Sequence, residues 1–319
     1  MSEIQRVLLL PHIKVHNANA LSSPFTIGFP AMTAWLGAVH ALQRKLNING
    51  CDAIKFISVG VVSHQCDLQT HKGVGDYVHS IIGTGNPLDK TGSRSAFIEE
   101  ARCHLDVSLI IEYTGIAKED EDAVKDKITH LLDSSMKMAG GDISTFHLPD
   151  FFKIEEGNTK DIHRLTRKVM PGYALIERRD LMINAMEQGQ DAIDAVIDYL
   201  AIHHTCTTDE KKKGENTVTW SSKRKTKGWV VPIATGFHGL TELGQAKNQR
   251  DPDTAHRFAE SVVTLGEFKM PHRIKLLNEI LWSYHTDIPN NLYLCTQNSM
   301  IKKAASPTSV SDQLAAFFD

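Results

Sequence analysis

Histidines and cysteines are the side chains of this 319-residue chain that could hold a metal or move a proton. There are 16 histidines and five cysteines, but they do not fall into metal-ligand patterns. A His-x-Cys pair at His64 and a Cys-His pair at Cys103 have no partner pair at zinc spacing, and no HExxH occurs. His203 begins one H-x-T motif, although two-histidine phosphoesterases need two. We therefore expect neither a metal nor a cofactor.

Motifs for nucleophilic catalysis and nucleotide binding are also incomplete. Ser134 begins an S-x-x-K and Lys90 begins a K-T-G, but this order is the reverse of that in penicillin-recognising enzymes. Gly83-Thr84-Gly85 lacks the third glycine of a dinucleotide fingerprint. A metal-independent RNA cleavage centre needs only a histidine base with a lysine, a tyrosine or a second histidine nearby, at no fixed spacing. That alternative therefore stays open.

Two short segments concentrate positive charge, although the net charge of the chain is −3. Residues 163–168, HRLTRK, place three cations on adjacent turns of a predicted helix, and residues 223–229, KRKTKGW, join four cations to Trp229. Cations neutralise phosphates and aromatic faces stack bases, so both segments favour nucleic-acid binding. The cations expected to make contacts are Arg164, Arg167, Lys168, Lys223, Arg224 and Lys225. A solvated loop and a core position for Trp229 are the plainer alternatives.

Hydrophobic periodicity predicts the elements that position these residues. The predicted strands are residues 6–15, 54–64, 101–113 and 142–147, with 228–235 as an alternative fourth strand, and the predicted helices are 32–46 and 119–138. The resulting order, βαββαβ, is that of a split-βαβ or ferredoxin-like unit. We therefore expect an α+β protein whose first domain, residues 1–150, is a ferredoxin-like core.

The third predicted strand has only one apolar face, so both helices should cover that face and leave the other open. The side chains expected on the open face include His12, Lys14, His64, His104 and Ser108. A sheet with a polar, cation-capable open face is typical of RNA-recognition folds. A sheet face covered by the second half of the chain is the alternative.

The second half of the chain, residues 151–319, is predicted as a mostly helical extension packed on the core. Its expected features are helices at 179–203, 254–265 and 271–285 and a flexible basic loop at 205–227. An insertion between the second and third strands, residues 65–100, contains five glycines and a proline. That composition predicts a protruding hairpin or arm rather than a packed helical block.

Cysteine usage and the N-terminal sequence bear on the compartment. The five cysteines are scattered without a CxxC, which indicates a reducing cytosol. The first residues, MSEIQRVLLLPH, carry an early acid and only four apolar residues in a row, so no signal peptide is predicted. No apolar run approaches the roughly 18 residues that a membrane helix needs. We expect a cytoplasmic protein with no membrane partner.

Several segments, in one order over nearly the whole chain, resemble one known family. They are LLLPHIKVHNANALSSPFTIGFP followed by AVHALQRKL, EEARCHLDVSLII, MKMAGGDI, RLTRKVMPGYALIER, GWVVPIATGFHGL, and RFAESVVTLGEF leading to ILWSYH. They look like the Csy-two (Csy2) family, the Cas-five-like subunits of type I-F CRISPR surveillance complexes, within the RAMP superfamily. Its members share a ferredoxin-like core and often a glycine-rich loop after the second helix, where this chain has Gly140-Gly141.

The resemblance implies a non-catalytic subunit of a Csy, or Cascade, complex in antiviral defence. It would bind the repeat-derived 5′ handle of the crRNA, pair with the large subunit and abut the first copy of the repeated backbone subunit. Target DNA would be met through the assembled complex. Residues 65–100 would form a thumb that crosses the RNA. The alternatives are a metal-independent endoribonuclease that trims pre-crRNA and a protein-only scaffold whose basic clusters meet an acidic partner.

Under this hypothesis the RNA contacts come from the open sheet face, from residues 16–30 and from the ends of the thumb. Besides the six cations above, the expected contacts are Asn17, Asn19, Ser22, Ser23, His64, Arg94, Arg102, His104, Gly140 and Gly141. Residues 16–30, HNANALSSPFTIGFP, form a connection much longer than the usual length of about 2 to 6 residues. Their small polar side chains would let RNA approach the backbone closely.

Overall fold

The computed structural model describes residues 4–82, 91–93, 100–155, 157–210, 216–247, 249 and 251–298. Arg94 and much of the predicted thumb lie outside these ranges, so their expected RNA contacts stay predictions. No helix within the described ranges is long and apolar enough to cross a membrane.

The first half of the chain alternates long strands with two helices. Its elements are β1 (Ile4–Asn19), β2 (Leu21–Ser23), β3 (Thr26–Ile27), α1 (Met32–Ile48), β4 (Lys55–Leu68), β5 (Thr70–His71), β6 (Ser80–Ile81), β7 (Arg102–Thr114), α2 (Glu121–Ser134), β8 (Lys137–Met138), β9 (Gly141–Thr145) and β10 (Asp150–Glu155). Helix α1 buries Trp35 and Val39, and α2 buries Val124 and Ile128. The spacing of four residues places each pair on one helix face, which is the face turned to the sheet.

The second half of the chain is mostly strand. Its elements are α3 (Thr159–Lys168), β11 (Tyr173–Glu177), α4 (Arg179–Glu187), α5 (Ala192–Leu200), β12 (Ile202–Glu210), β13 (Asn216–Arg224), β14 (Trp229–Gly239), β15 (Ala259–Lys269), β16 (Trp282–Asp287) and β17 (Leu292–Gln297). Two 3₁₀ turns, Pro271–Arg273 and Leu277–Glu279, lie between β15 and β16. Strands β12 and β13 form a separate two-stranded ribbon.

One sheet of 11 strands organises the molecule. Its main path runs β11-β15-β14-β17-β16-β4-β7-β1-β9-β8, and β10 adds to β1. Strand β1 pairs with β7 along one edge, and its other edge is shared by β10 and β9. Strand β4 pairs with the opposite edge of β7. The three long strands β1, β7 and β4 therefore form the continuous surface on which the rest of the sheet is built.

Six of the strands, including β4, form a closed circuit on the side of β4 away from β7. The edge of β4 away from β7 pairs with β16 at Val59 and with β11 at Val62 and Ser63. The circuit β4-β11-β15-β14-β17-β16 is thereby complete. Buried Trp282 fastens it, since its indole Nε1 donates a 3.1 Å hydrogen bond to the carbonyl of Leu175 on β11. Closure removes the free edges that isolated strands would present to other chains.

The predicted fold class, a ferredoxin-like core with a mostly helical C-terminal half, is wrong. Strand β15 stands where a helix was expected at 254–265, and 271–285 gives two 3₁₀ turns and the start of β16. The ribbon β12–β13 occupies much of the expected loop at 205–227. These segments contain Val, Thr, Phe, Trp and Tyr, which fit pleated surfaces, and pairing with distant strands overrides local helical spacing. The second half therefore extends the sheet.

Different elements pack on the two faces of the central strands β1, β7 and β4. Helices α1 and α2 cover one face, with Ile13 and Leu109 in the largest apolar cluster. On the opposite face, Val7, Leu9 and Ile110 pack against α3 and the 3₁₀ turns. The face that was expected to stay open is thus covered over its apolar half by the second half of the chain. Among the described residues, its polar half is left for a ligand.

Candidate nucleic-acid interface on the polar half of the sheet

Histidines from three neighbouring strands cluster on the polar half of this face. We call the cluster the histidine face, and its members are His12 and His16 on β1, His64 on β4, and His104, Asp106 and Ser108 on β7. The structure brings together four of the five side chains that alternation placed on one face. The fifth, Lys14, is exposed between His12 and His16 on the same strand.

Ring stacking organises the histidine face into two groups. The ring of His12 lies 4.0 Å from that of His64, with 24° between the planes, and 4.9 Å from the ring of His147. His16 stacks on His104 at 4.4 Å, also with 24° between the planes. Flat, partly accessible rings are surfaces on which unpaired bases stack.

Two irregularities in β1 aim its side chains at this face. The register with β7 shifts between Leu10 and Ile13 and again between Val15 and Ala18. His12 and Asn17 lie in these shifts with φ of 47° and 59°, a region that few residues other than glycine adopt. Bulges of this kind redirect side chains and bend the strand. They keep Ile13 and Val15 in the core while His12 and His16 remain on the polar face.

His64 is held by hydrogen bonds at both ring nitrogens. Nδ1 bonds the carbonyl oxygen of Pro171 at 2.6 Å, and Nε2 bonds Ser108 Oγ at 2.7 Å. Ser108 Oγ also accepts a 3.0 Å hydrogen bond from the backbone N–H of His12. A Cβ at Gly172 would lie 2.8 Å from His64 Nδ1, so only glycine lets this turn pack so closely. The strands and the turn after α3 are therefore locked together through His64.

The surroundings of His64 disfavour its charged form, because they lower its pKa. Burial lowers the pKa of His64 most strongly, and the nearby His12 and His147 lower it further. The bond to Pro171 and the charge of Asp106 act in the opposite direction without reversing the shift. His12 Nδ1 lies 3.2 Å from Asp106 Oδ1. The pair His12–Asp106 therefore lies directly beside the ring of His64, on which His12 stacks.

The stacked pair His16–His104 is connected by hydrogen bonds to Gln69, near the start of the predicted thumb. His104 Nδ1 accepts a 3.2 Å hydrogen bond from the backbone N–H of Asn17. Gln69, just beyond β4, lies 3.2 Å from His104 Nε2 and donates to Asn17 Oδ1 at 3.2 Å. The Asn17 amide, expected to meet RNA, is thus positioned by Gln69 at the edge of the histidine face.

Among the described residues, His12, His64 and Asp106 are the set whose ligand atoms could hold a metal ion. These atoms lie within 4.8 Å of one another. That proximity would allow a shared ion, so the hydrogen bonds these atoms make show how they are used. The atoms instead bond one another and Ser108. The arrangement fits a hydrogen-bonded cluster better than a metal centre.

The glycine pair after α2 supports β1 from the other edge. Gly140 is exposed with φ of 75°, and Gly141 is buried against the bulge. A Cβ at Gly141 would lie 2.7 Å from the carbonyl oxygen of His16 and 2.8 Å from the N of Ala18. The neighbouring carbonyl of Ala139 accepts a 2.8 Å hydrogen bond from the N–H of Asn19. Gly141 therefore allows the backbone to pack closely against β1, and Gly140 stays accessible.

The long polar connection, residues 16–30, is shorter in the structure than expected, because β1 continues to Asn19. The rest folds as the small hairpin β2–β3. Asn19 caps its own turn by bonding the N–H and carbonyl of Leu21. Ser22 Oγ and Ser23 Oγ lie 2.9 Å and 2.7 Å from Thr26 Oγ1, and Ser23 is buried. Asn19 and Ser22 are accessible, whereas Ser23 mainly closes the hairpin.

Helix α3 carries a cationic stripe on its outer face. Asn158 caps its start, accepting a 3.1 Å hydrogen bond from the N–H of Lys160, while Ile162 and Leu165 are buried. We call the outward side chains the α3 stripe; they are Lys160, His163, Arg164, Arg167 and Lys168, and they line a groove of about 470 Å³. Three predicted contacts therefore share one continuous surface.

The remaining predicted cations are dispersed. Lys223 and Arg224 are exposed near the base of the ribbon β12–β13. Lys225 bonds Asp198 and lies 4.5 Å from the centre of the Tyr199 ring. Arg102, at the start of β7, pairs with Glu100. Lys225 and Arg102 thus have local charge partners, as Lys168 on α3 does in Asp150, 3.7 Å away.

Sequence reasoning missed several residues that shape the site. Gln69, Pro171 and Gly172 hold the histidines, yet each lies in a segment that carries no periodic signal. Their contacts join parts of the chain that are 35 to 107 residues apart. Such contacts leave no local pattern in a single sequence, so nothing in the sequence could have identified them.

Comparison with known proteins agrees with the segments that carry the resemblance. The family described as CRISPR-associated protein (Cas_Csy2) matches residues 8–295. The CRISPR-associated protein Csy2 of Pseudomonas aeruginosa (strain UCBPP-PA14) is 34% identical over 317 residues, which cover 92% of this chain and 95% of that protein. The match spans the histidine face and the α3 stripe as well as the strands of the second half. The chain belongs to the Csy2 family of CRISPR-associated proteins.

Proposed function

We propose that this chain is a non-catalytic subunit of a type I-F CRISPR (Csy) complex and that it binds the 5′ handle of the crRNA. The observation that carries the proposal is the placement of the histidine face and the α3 stripe on one side of the sheet. Together they offer stacking rings, hydrogen-bonding groups and cations. Single-stranded RNA is a ligand that uses all three.

The two surfaces adjoin one another. Helix α3 ends at Lys168, and the carbonyl of Pro171, three residues later, accepts the hydrogen bond of His64. The C-terminal end of the α3 stripe therefore leads directly to the histidine face. A strand of RNA can place phosphates along α3 and bases over the histidines without crossing the covered, apolar part of the sheet.

We infer that protein partners in the complex are the large subunit and the repeated backbone subunit, and that target DNA is met through the assembly. Exposed apolar side chains on α5 and on the ribbon support a protein contact. They are Ile193, Ile197, Ile202, Val218 and Trp220, which are 50 to 71% exposed. The ribbon pairs with no third strand in the described part of the chain. Val218 and Trp220 are two residues apart on β13 and so lie on one face of the ribbon, and contiguous exposed apolar surfaces mark interaction sites.

A metal-independent endoribonuclease that trims pre-crRNA is the second candidate, because the pair His12–Asp106 is an arrangement that general bases use. His64 argues against it, since both of its ring nitrogens are already bonded within the protein. Labelled repeat RNA incubated with the chain in EDTA separates the two proposals. We expect the RNA to remain intact, and cleavage that His12→Ala abolishes would favour the nuclease.

Neutralising two cations of the α3 stripe tests the binding proposal. In the assembled complex, Arg164→Gln/Arg167→Gln should weaken binding of a synthetic handle RNA on the order of tenfold. The dependence of log affinity on log salt concentration should become shallower by about 1.4, the value for two contacts to a single strand. Filter binding at several salt concentrations measures both quantities.

The matched control changes two cations on the opposite side of the sheet. Arg44 on α1 and Lys118 before α2 are exposed, and Arg44→Gln/Lys118→Gln removes the same net charge. This variant should keep the affinity and the salt slope of the wild type. Equal losses of RNA affinity in both variants would show that the effect comes from the net charge of the protein and not from the α3 stripe. Unchanged affinity in the α3 variant would refute the proposed surface.

A further inference from the structure

A pocket of about 340 Å³ opens beside the histidine face. It lies between the hairpin β2–β3, the last residues of β4 and the end of the closed strand circuit. His64 belongs both to the pocket lining and to the histidine face. The volume is at the small end of the range for ligand sites, about 300–1,000 Å³. The pocket therefore suits a compact group that reaches it from the histidine face.

One wall of the pocket is aromatic. Trp229, which is 49% exposed, lies 5.1 Å from Tyr173 with 81° between the ring planes and 5.1 Å from Phe268. Phe268 in turn meets Phe29 edge-on at 5.3 Å. These contacts hold the Trp229 ring in place while half of its surface stays uncovered. An indole fixed in this way is a ready stacking surface for a planar group.

The opposite rim of the pocket is polar. Gln65, near the end of β4, is exposed and lines the pocket, and its Nε2 donates to Asp67 Oδ2 at 2.5 Å. Ser22 Oγ and Thr26 Oγ1, 2.9 Å apart, add hydroxyl groups on the side of the hairpin. A planar ligand that carries hydrogen-bonding edges can use this rim, whereas a purely aliphatic group cannot.

We propose that this pocket receives one unstacked nucleobase of the bound RNA, with Trp229 as the stacking platform and the rim of Gln65, Ser22 and Thr26 facing the base edge. The inference rests on the proposed RNA-binding function and assigns a subsite to it. A base turned out of the strand at His64 enters the pocket without the backbone leaving the histidine face. Within the described ranges no lysine or arginine lines the pocket, so the phosphates stay outside, along the histidine face and the α3 stripe.

The test combines an abasic scan of the handle RNA with a change at Trp229, using the assembled complex. Each nucleotide of a synthetic handle is replaced in turn by an abasic one, and binding is measured. One position should weaken wild-type binding by about 5- to 150-fold, the range for losing a stacked base. In Trp229→Leu, which keeps an apolar side chain against Phe268, intact RNA should bind more weakly and the abasic change at that position should cost nothing further.

Phe258→Leu is the control, because Phe258 is an exposed aromatic residue just before β15 that does not line the pocket. In this variant the cost of the abasic position should equal that of the wild type. An abasic cost that is the same in Trp229→Leu as in the wild type overturns the pocket while leaving the RNA-binding function standing. A wild-type complex that does not bind handle RNA at all overturns both the pocket and the RNA-binding function. The filter-binding comparison of the α3 variants tests the RNA-binding function separately from the pocket.

Discussion

His64 Nδ1 donates a 2.6 Å hydrogen bond to the carbonyl oxygen of Pro171. A carbonyl oxygen can only accept, so the ring hydrogen of neutral His64 sits on Nδ1 and its Nε2 must accept from the Ser108 hydroxyl. Ser108 Oγ then uses a lone pair for the N–H of His12. One imidazole thereby couples β4, β7, β1 and the end of α3, and sets the geometry of the candidate interface.

This coupling predicts a loss of stability in mild acid. The pKa of His64 is lowered in the folded protein, whereas in the unfolded chain it returns to about 6.5. The unfolded state therefore binds more protons below that pH, so the free energy of unfolding should fall as pH drops from about 6.5 through the folded-state pKa. Denaturant unfolding between pH 7.5 and 5 measures this slope.

The matched variants for the acid effect are His64→Gln and His285→Gln. Gln at 64 cannot be protonated, so its unfolding free energy should depend less steeply on pH than that of the wild type. His285 is exposed on β16 and lies outside the histidine face, so its replacement leaves the hydrogen bonds of His64 in place and controls for the loss of one histidine. If the wild type and His64→Gln lose stability in parallel below pH 6.5, His64 is not the group responsible.

Gly172 should be intolerant of even one added methyl group. Its Cβ would lie 2.7 Å from the Val169 carbonyl oxygen and 2.8 Å from His64 Nδ1, both closer than real contacts allow. Gly172→Ala should lower the free energy of unfolding by about 1–3 kcal/mol, the usual cost of overpacking. It should also lower RNA affinity, because His64 must move.

Gly37 provides the opposite case for comparison. It lies inside α1, and a Cβ added there would meet no atom within 4 Å, so Gly37→Ala should stabilise the helix by about 0.5–1 kcal/mol. Thermal or denaturant unfolding of both variants checks the contrast. A Gly172→Ala as stable as the wild type would contradict the packing described around His64. A destabilised Gly37→Ala would contradict the open space at that position of α1.

Asn17 allows backbone strain and side-chain contact to be separated. Its φ of 59° suits glycine but costs alanine about 1–2 kcal/mol. Asn17→Ala should therefore reduce the free energy of unfolding, whereas Asn17→Gly should change it little. Both variants lose the amide that Gln69 positions, so both should weaken handle-RNA binding by about 2- to 10-fold, the worth of one hydrogen bond.

Filter binding and denaturant unfolding of Asn17→Ala and Asn17→Gly separate the two contributions of Asn17, backbone strain and the side-chain amide. A loss of affinity only in Asn17→Ala would assign the effect to the bulge of β1 rather than to the amide. Unchanged affinity in both variants would remove Asn17 from the RNA contacts while leaving its part in the strand intact.

Local patterns in the sequence were sufficient for the elements around the candidate site. Alternation in β7 identified which side chains share a face, and the four-residue spacing in α1 and α2 identified the helices that cover the other face. These patterns are reliable because each depends on residues only two to four positions apart. The segments that carry the family resemblance were also readable from the sequence alone.

The tertiary structure alone decided how the second half of the chain is used. Residues 254–285 have apolar spacing that also suits a helix, but β15 and β16 gain their hydrogen bonds from β14, β17 and β4. Strand pairing is a contact between distant segments, so a single sequence does not encode it locally.

The site itself shows the same division. The sequence by itself placed His64, His104 and Ser108 on one face and Arg164, Arg167 and Lys168 on one helix. Only the folded chain put α3 over the apolar half of that face and brought the Pro171 carbonyl to His64, and the described residues leave the polar half uncovered. The physical reason is that a helix buries its apolar side wherever the sheet offers apolar partners, and the location of those partners is a property of the whole fold.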